Sequence, residues 1–177
     1  MSVLILTGSA RRESYTRSLG EGLVAAVPDA VLAPKLTELP FFDQDLEATP
    51  PAAVEALRAA VTAADLLVVV TPEYNGTIPG LLGNAIDWLS RPAGGAAAAL
   101  QDKPVLAVAA SPGGVGGVRA LVALRTVLGN AGAQLLEQTL SVGEVHVRAG
   151  GGQLDAELQD EVAVLFGDLM AQPVRAA

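Results

Sequence analysis

Thr71-Pro72-Glu73-Tyr74-Asn75-Gly76-Thr77-Ile78-Pro79-Gly80 follows the unbroken apolar run Leu66-Leu67-Val68-Val69-Val70 and precedes an amphipathic segment, Leu81 to Leu89. The pattern predicts a buried strand that feeds a loop, and a loop that opens a helix. Pro72, Gly76, Pro79 and Gly80 set the loop's path, because proline presets φ and glycine permits turns that other residues resist. Turn chemistry accounts for those four residues. It does not call for a carboxylate, a flat ring and an amide in succession, which Glu73, Tyr74 and Asn75 supply.

The same strand–loop–helix arrangement recurs twice elsewhere in the chain. Val3-Leu4-Ile5-Leu6 is wholly apolar and leads into Gly8-Ser9-Ala10-Arg11-Arg12-Glu13-Ser14-Tyr15-Thr16-Arg17; Leu19, Leu23, Val24 and Val27 then recur at helical spacing, ended by Pro28. A polar loop at a helix N-terminus is an anion site, since free N–H groups and the helix dipole both favour negative charge. Arg11 and Arg17 could add forked, charge-assisted bonds to a phosphate, although solvated arginines with Ser14 as a simple cap would look the same in sequence. The Gly-Lys-Ser/Thr ending of a Walker loop is missing. Val105-Leu106-Ala107-Val108-Ala109-Ala110 ends in Ser111-Pro112-Gly113-Gly114-Val115-Gly116-Gly117, followed by a helix bearing Val118, Leu121, Val122, Arg125 and Leu128. A tight turn explains some of those glycines, and close approach of a ligand to the backbone explains the rest.

The remaining segments are plainer. Val31-Leu32-Ala33 is a weaker strand, and Leu39-Pro40-Phe41-Phe42-Asp43-Gln44-Asp45 an irregular excursion that covers an edge or lines a pocket. Pro50-Pro51 introduces a helix with Val54, Leu57 and Val61 in phase. On a helical wheel Leu81, Leu82, Ala85, Ile86, Trp88 and Leu89 share one face, with Trp88 at its margin, a place for a core filler or for a subunit contact. Residues 91–100 form a Gly/Ala-rich connector, Gln134 to Leu140 a final edge strand, and Leu154, Leu158, Val162, Leu165 and Leu169 a closing helix.

Alternating strands and helices call for a parallel sheet with helices on both faces. The three most apolar strands belong at its centre, which matches a five-stranded three-layer α/β sandwich of order 2-1-3-4-5. Ligands bind such sheets at the carboxyl ends of the strands, where the chain reverses direction between strands one and three. The three elaborate loops leave strands one, three and four, so they converge on that crevice.

Composition narrows the chemistry. At 177 residues and 51% apolar, residues 1–177 read as one domain with a real core. There is no cysteine and one histidine, His146, which excludes thiolate sites, multi-histidine metal centres and a cysteine nucleophile. A net charge of −8 opposes non-specific nucleic-acid binding. No apolar run approaches the ~20 residues of a membrane span, and no signal-like start is present, so a soluble cytoplasmic protein is expected. His146 reads as structural or exposed, in a loop. No side chain in the crevice pairs as nucleophile and base, and no metal site is expected. Chemistry there would fall to a bound cofactor, and a flat, phosphorylated one such as flavin mononucleotide (FMN) suits an anion loop facing a planar slot.

Gly8-Ser9-x-Arg11-x-x-Ser14, Pro72-Glu73-Tyr74-Asn75-Gly76-x-Ile78-Pro79-Gly80, Asn84-Ala85-Ile86-Asp87-Trp88 and Ser111-x-Gly113-Gly114 occur in order. On these motifs the chain resembles the flavodoxin-like NAD(P)H-dependent FMN reductases, the group of chromate, quinone and azo-dye reductases, from about residue 3 to 170. The resemblance implies that Ser9, Arg11, Ser14, Tyr15 and Thr16 hold the FMN phosphate end, that Pro72, Glu73, Tyr74, Asn75 and Gly76 line the flavin ring, and that Ser111, Gly113 and Gly114 lie opposite. It implies ping-pong chemistry at the flavin N5, with NADPH or NADH as donor, small-molecule acceptors, no catalytic side chain, and a homodimer or homotetramer. Thr16 and Gly83 stand where members often carry asparagine and lysine; the first change keeps a donor, the second removes a charge. A flavodoxin-type electron carrier and a non-catalytic module of the same fold are the alternatives. Arg11 in the phosphate loop argues against the first.

Overall fold

The computed structural model describes residues 1–93 and 95–171. Five strands, β1 (Val3–Thr7), β2 (Ala30–Leu32), β3 (Leu66–Pro72), β4 (Pro104–Ala110) and β5 (Gln134–Val142), form one parallel sheet of order β2-β1-β3-β4-β5. The helices are α1 (Tyr15–Ala26), α2 (Ala52–Ala63), α3 (Gly80–Leu89), α4 (Val118–Asn130), the short α5 (Val145–Arg148) and α6 (Ala156–Ala171).

Continuous apolar strands are explained by the two core layers. Successive side chains of a strand point to opposite faces. Val3, Ile5, Leu66, Val68, Val70, Leu106 and Val108 accordingly pack with Leu19 and Leu23 of α1 and Leu158, Val162 and Phe166 of α6. Leu4, Leu6, Leu67, Val69, Val105 and Ala107 pack on the other face with α2, α3 and α4. Both faces of the central strands are covered, as parallel sheets require. β2 is three residues long, and β5 is half exposed with a register shift against β4 between Val105 and Ala107. Both are edge strands, in keeping with their weaker sequence patterns.

The excursion at 39–45 covers α3. Asn84 Oδ1 accepts from the Phe42 N–H at 2.7 Å, while Asn84 Nδ2 and Trp88 Nε1 both donate to the Pro40 carbonyl, at 2.9 and 3.0 Å. Phe42 meets the Trp88 ring edge-on at 5.0 Å. Trp88 is 1% exposed, so it fills the chain's own core and offers nothing to a neighbouring subunit. His146 lies on α5 rather than in a loop, exposed, with its ring 6.1 Å from that of Tyr15. Within the 91–100 connector, residue 94 lies outside the described residues, and Ala93 and Ala96 exchange backbone hydrogen bonds.

Candidate functional site

The loop after β1 ends at Ser14, whose extended backbone (φ −80°, ψ 123°) and Oγ, accepting from Arg17 N at 3.2 Å, cap α1. The same hydroxyl lies 2.9 Å from Thr16 Oγ1, and both residues are buried. The N–H groups of residues 12 to 16 find no acceptor among the described residues. Those are the orphan donors expected at a helix start. They lie in the loop and first turn of α1 that carry the hydroxyls of Ser9, Ser14 and Thr16, with the Arg11 guanidinium 4.5 Å above the Tyr15 ring. A phosphate, purely an acceptor and an anion, matches this donor set and the helix dipole together. Arg17 is held differently from expectation: its Nε donates to Glu21 Oε1 at 2.9 Å, one turn along α1.

In the loop after β3, Tyr74 and Thr77 exchange backbone hydrogen bonds, each at 3.0 Å, around Asn75 (φ 54°) and Gly76 (φ 74°). Two consecutive positive φ values define a type I′ turn, for which Asn-Gly is the favoured pair. That turn lifts the Tyr74 ring, half exposed, over the crevice, and Tyr74 Oη lies 3.5 Å from Ser9 Oγ. The loops after β1 and β3 are thereby in contact.

Glu73 points elsewhere. Its Oε2 accepts from the Arg119 and Ala120 N–H groups at 3.1 and 3.3 Å, and its Oε1 from Arg119 Nε and Nη2 at 2.9 and 2.8 Å. The carboxylate caps α4, which begins after Gly117 and has no cap of its own (φ 80° at Gly117). Sequence reasoning had no signal for this: the partners are 46 positions apart.

The glycine-rich loop after β4 divides in two. Gly116 and Gly117 have positive φ, and a Cβ on Gly116 would collide with Ser141, so both are required by the chain itself. Gly113 and Gly114 carry no such demand. A Cβ on Gly114 would meet nothing within 4 Å, and one on Gly113 only Ser111 Oγ at 4.0 Å. Space of that kind above an open backbone suits a ligand lying flat on it. Ser111 Oγ donates to Gly113 O at 3.0 Å and Glu144 N to the same carbonyl at 3.2 Å, so the loop is held from beneath.

The residues that resemblance assigns to FMN therefore come together at the carboxyl ends of β1, β3 and β4, except that the Glu73 side chain turns away into α4. Among the described residues no group of acidic and histidine side chains could hold a metal ion. Two groups with displaced titration, Asp65 and Lys103, lie at the opposite, amino ends of the strands, while for Arg148 on α5 the lowering effect of burial is outweighed by Glu161, Asp155 and Glu157, which raise it. Hydrogen bonds from the Ser2 backbone and hydroxyl hold the Asp65 carboxyl below the usual range. Burial lowers Lys103, whose Nζ donates to Ala64 O at 2.6 Å.

A 2-1-3-4-5 parallel sheet, with a helix-start anion loop at its switch point and two facing loops beside it, defines the flavodoxin-like class of α/β proteins. The family model of the NADPH-dependent FMN reductases matches residues 1–147, and the chain belongs to that family. It is 41% identical over 131 residues to a quinone reductase of Pseudomonas putida, covering 72% of this chain and 69% of the relative. A 2-hydroxy-1,4-benzoquinone reductase of a Burkholderia species is 31% identical over 161 residues, covering 88% and 83%. The flavoenzyme NAD(P)H:(acceptor) oxidoreductase FerB of Paracoccus denitrificans superposes with a TM-score of 0.81 at 27% identity, covering 95% of this chain and 93% of that one.

Proposed function

We propose that this chain is an FMN-dependent NAD(P)H oxidoreductase acting on quinones and related flat electrophiles such as azo compounds, working as one FMN-binding domain. The observation that carries the reading is the cluster of unpaired N–H donors at the start of α1, facing the same crevice as the half-exposed Tyr74. FMN, when bound, supplies the two-electron chemistry between nicotinamide and acceptor.

The chain's own residues bind and orient. The N–H groups of residues 13 to 16, with the hydroxyls of Ser9, Ser14 and Thr16, take the phosphate, and Arg11 adds charge while Tyr15 supports its guanidinium. Thr16 keeps a donor where asparagine is common. Pro72, Tyr74, Asn75 and Gly76 bound one side of the planar slot, and Ser111, Gly113 and Gly114 the other. Glu73 acts through α4: it fixes the loop after β3 relative to the loop after β4, and so sets the slot's width. No side chain is needed as acid or base. The slot's open roof over Gly113 and Gly114 lets donor and acceptor use one place in turn.

No helix among the described residues is long and apolar enough to cross a membrane, and the proposed setting is the cytoplasm, as a homodimer or homotetramer. The test is a fluorescence titration of FMN with the protein, followed by NADPH oxidation with and without benzoquinone. Saturable FMN binding and quinone-dependent turnover are expected; a protein that binds no FMN would not be this enzyme.

A further inference from the structure

Beside the FMN loop, between the segments following β1 and β2, lies a cavity of about 400 Å³. Arg11, Arg12, Arg17 and Lys35 line it, with Ser9 and Thr37, and no carboxylate is among its lining residues. The chain has 11 basic residues against 19 acidic ones, so four cations around one cavity are not a scattered surface population. Two of the four are engaged: Arg17 with Glu21 at 2.9 Å, and Arg11 over the Tyr15 ring. The side chains of Arg12 and Lys35 make no hydrogen bond or ion pair among the described residues. Their charge is unopposed and directed at an open space.

Position indicates what the cavity holds. It sits over the β2–β1 pair, whereas the slot proposed above for the flavin ring belongs to the loops after β3 and β4. With neighbouring strands about 4.8 Å apart, the two are roughly 10 Å from one another across the sheet. A dinucleotide with its nicotinamide in that slot is long enough to span this separation through its flexible pyrophosphate. We propose, on the basis of the oxidoreductase reading above, that Arg12 and Lys35 receive the 2′-phosphate of NADPH and make NADPH the preferred donor over NADH. A dianionic phosphate monoester suits one forked guanidinium and one mobile ammonium, with the Thr37 hydroxyl as a further donor. In the site proposed above the FMN phosphate is served by the free N–H groups at the start of α1, which leaves the Arg12 and Lys35 side chains for a second anion.

The test is the Arg12→Ala/Lys35→Ala double variant, loaded with FMN. Both side chains are exposed and neither supports a packed contact, so the fold is expected to persist, which circular dichroism verifies. Wild-type protein should favour NADPH over NADH at least tenfold in kcat/KM. In the variant that ratio should fall at least tenfold through the KM for NADPH, while the Kd for FMN changes less than twofold. Calorimetry with 2′,5′-ADP, compared with 5′-AMP, reads the same site without turnover: wild-type protein should prefer the 2′-phosphorylated nucleotide, and the variant should not. An unchanged donor ratio together with unchanged 2′,5′-ADP binding would overturn the proposal. So would a tenfold loss of FMN affinity, which would make the cavity part of the FMN phosphate site. A wild-type protein that oxidises neither nucleotide would instead refute the oxidoreductase reading, and the 2′,5′-ADP measurement would still decide the cavity's role.

Discussion

Replacing Glu73 separates a structural carboxylate from a ligand contact. The side chain is 14% exposed and accepts from two backbone N–H groups at the start of α4, whereas its partner Arg119 is 76% exposed. Loss of a helix cap costs about 0.5–2 kcal/mol, and loss of a negative charge at a helix N-terminus about 0.3–1 kcal/mol. The exposed guanidinium adds about 0–1 kcal/mol after solvent screening. Glu73→Ala should therefore destabilise by about 2–3 kcal/mol. Glu73→Gln, which keeps an acceptor, should cost about 1 kcal/mol, and Arg119→Ala less than about 1 kcal/mol. With a urea slope near 2 kcal/mol/M, the alanine variant's midpoint should fall by about 1 M. The buried Trp88, the chain's single tryptophan, reports unfolding by fluorescence, with circular dichroism as a second probe. The order Ala, then Gln, then Arg119→Ala is the substance of the prediction. An Arg119→Ala variant as damaged as Glu73→Ala would show that the ion pair, not the cap, carries the energy. A Glu73→Ala variant as stable as wild type would refute the cap altogether.

Arg11→Ala should weaken FMN binding by about 1.5–3 kcal/mol with the fold intact, read by flavin fluorescence titration; unchanged affinity would remove Arg11 from the site. Trp88→Ala should destabilise by about 3–5 kcal/mol, because the ring is fully buried and anchors Pro40 and Phe42; a loss under about 1 kcal/mol would contradict that placement. Gly76→Ala should cost about 1–2 kcal/mol from its φ of 74° alone, since the nearest obstacle to a Cβ is Arg119 Cδ at 3.9 Å; thermal unfolding measures it, and no loss would argue against the type I′ turn. Asp65 has its carboxyl pKa lowered on folding, so its stabilising contribution is present above the unfolded value and disappears as pH falls through the folded one. The Asp65→Asn variant should thus lose less stability than wild type between pH 5 and the acid limit, in urea midpoints taken across that range.

The sheet was legible because β1, β3 and β4 bury both faces and so read as unbroken apolar runs, while the edge strands β2 and β5 read weakly for the opposite reason. Ser14 announced itself as a cap by type and position, and the polar loop before it as a place for an anion. Asn75-Gly76 carried its turn signal openly, yet beside Glu73 and Tyr74 it reads as ligand chemistry as much as turn chemistry; the paired hydrogen bonds between Tyr74 and Thr77 resolve it. What stayed hidden was tertiary. Glu73 reaches α4, Asn84 and Trp88 hold the excursion at 40–42, and Lys35 joins Arg12 around one cavity. Each of these pairings spans more than twenty positions, and no local periodicity encodes such contacts.

The central claim is two-substrate flavin chemistry in the crevice above β1, β3 and β4. It is tested most directly by incubating the purified protein with FMN, desalting it, and recording the visible spectrum anaerobically on addition of NADPH and then of a quinone. A retained flavin band that bleaches with NADPH and returns with the quinone is expected. A retained band that neither NADPH nor NADH bleaches would contradict it and point to a one-electron carrier of the same fold.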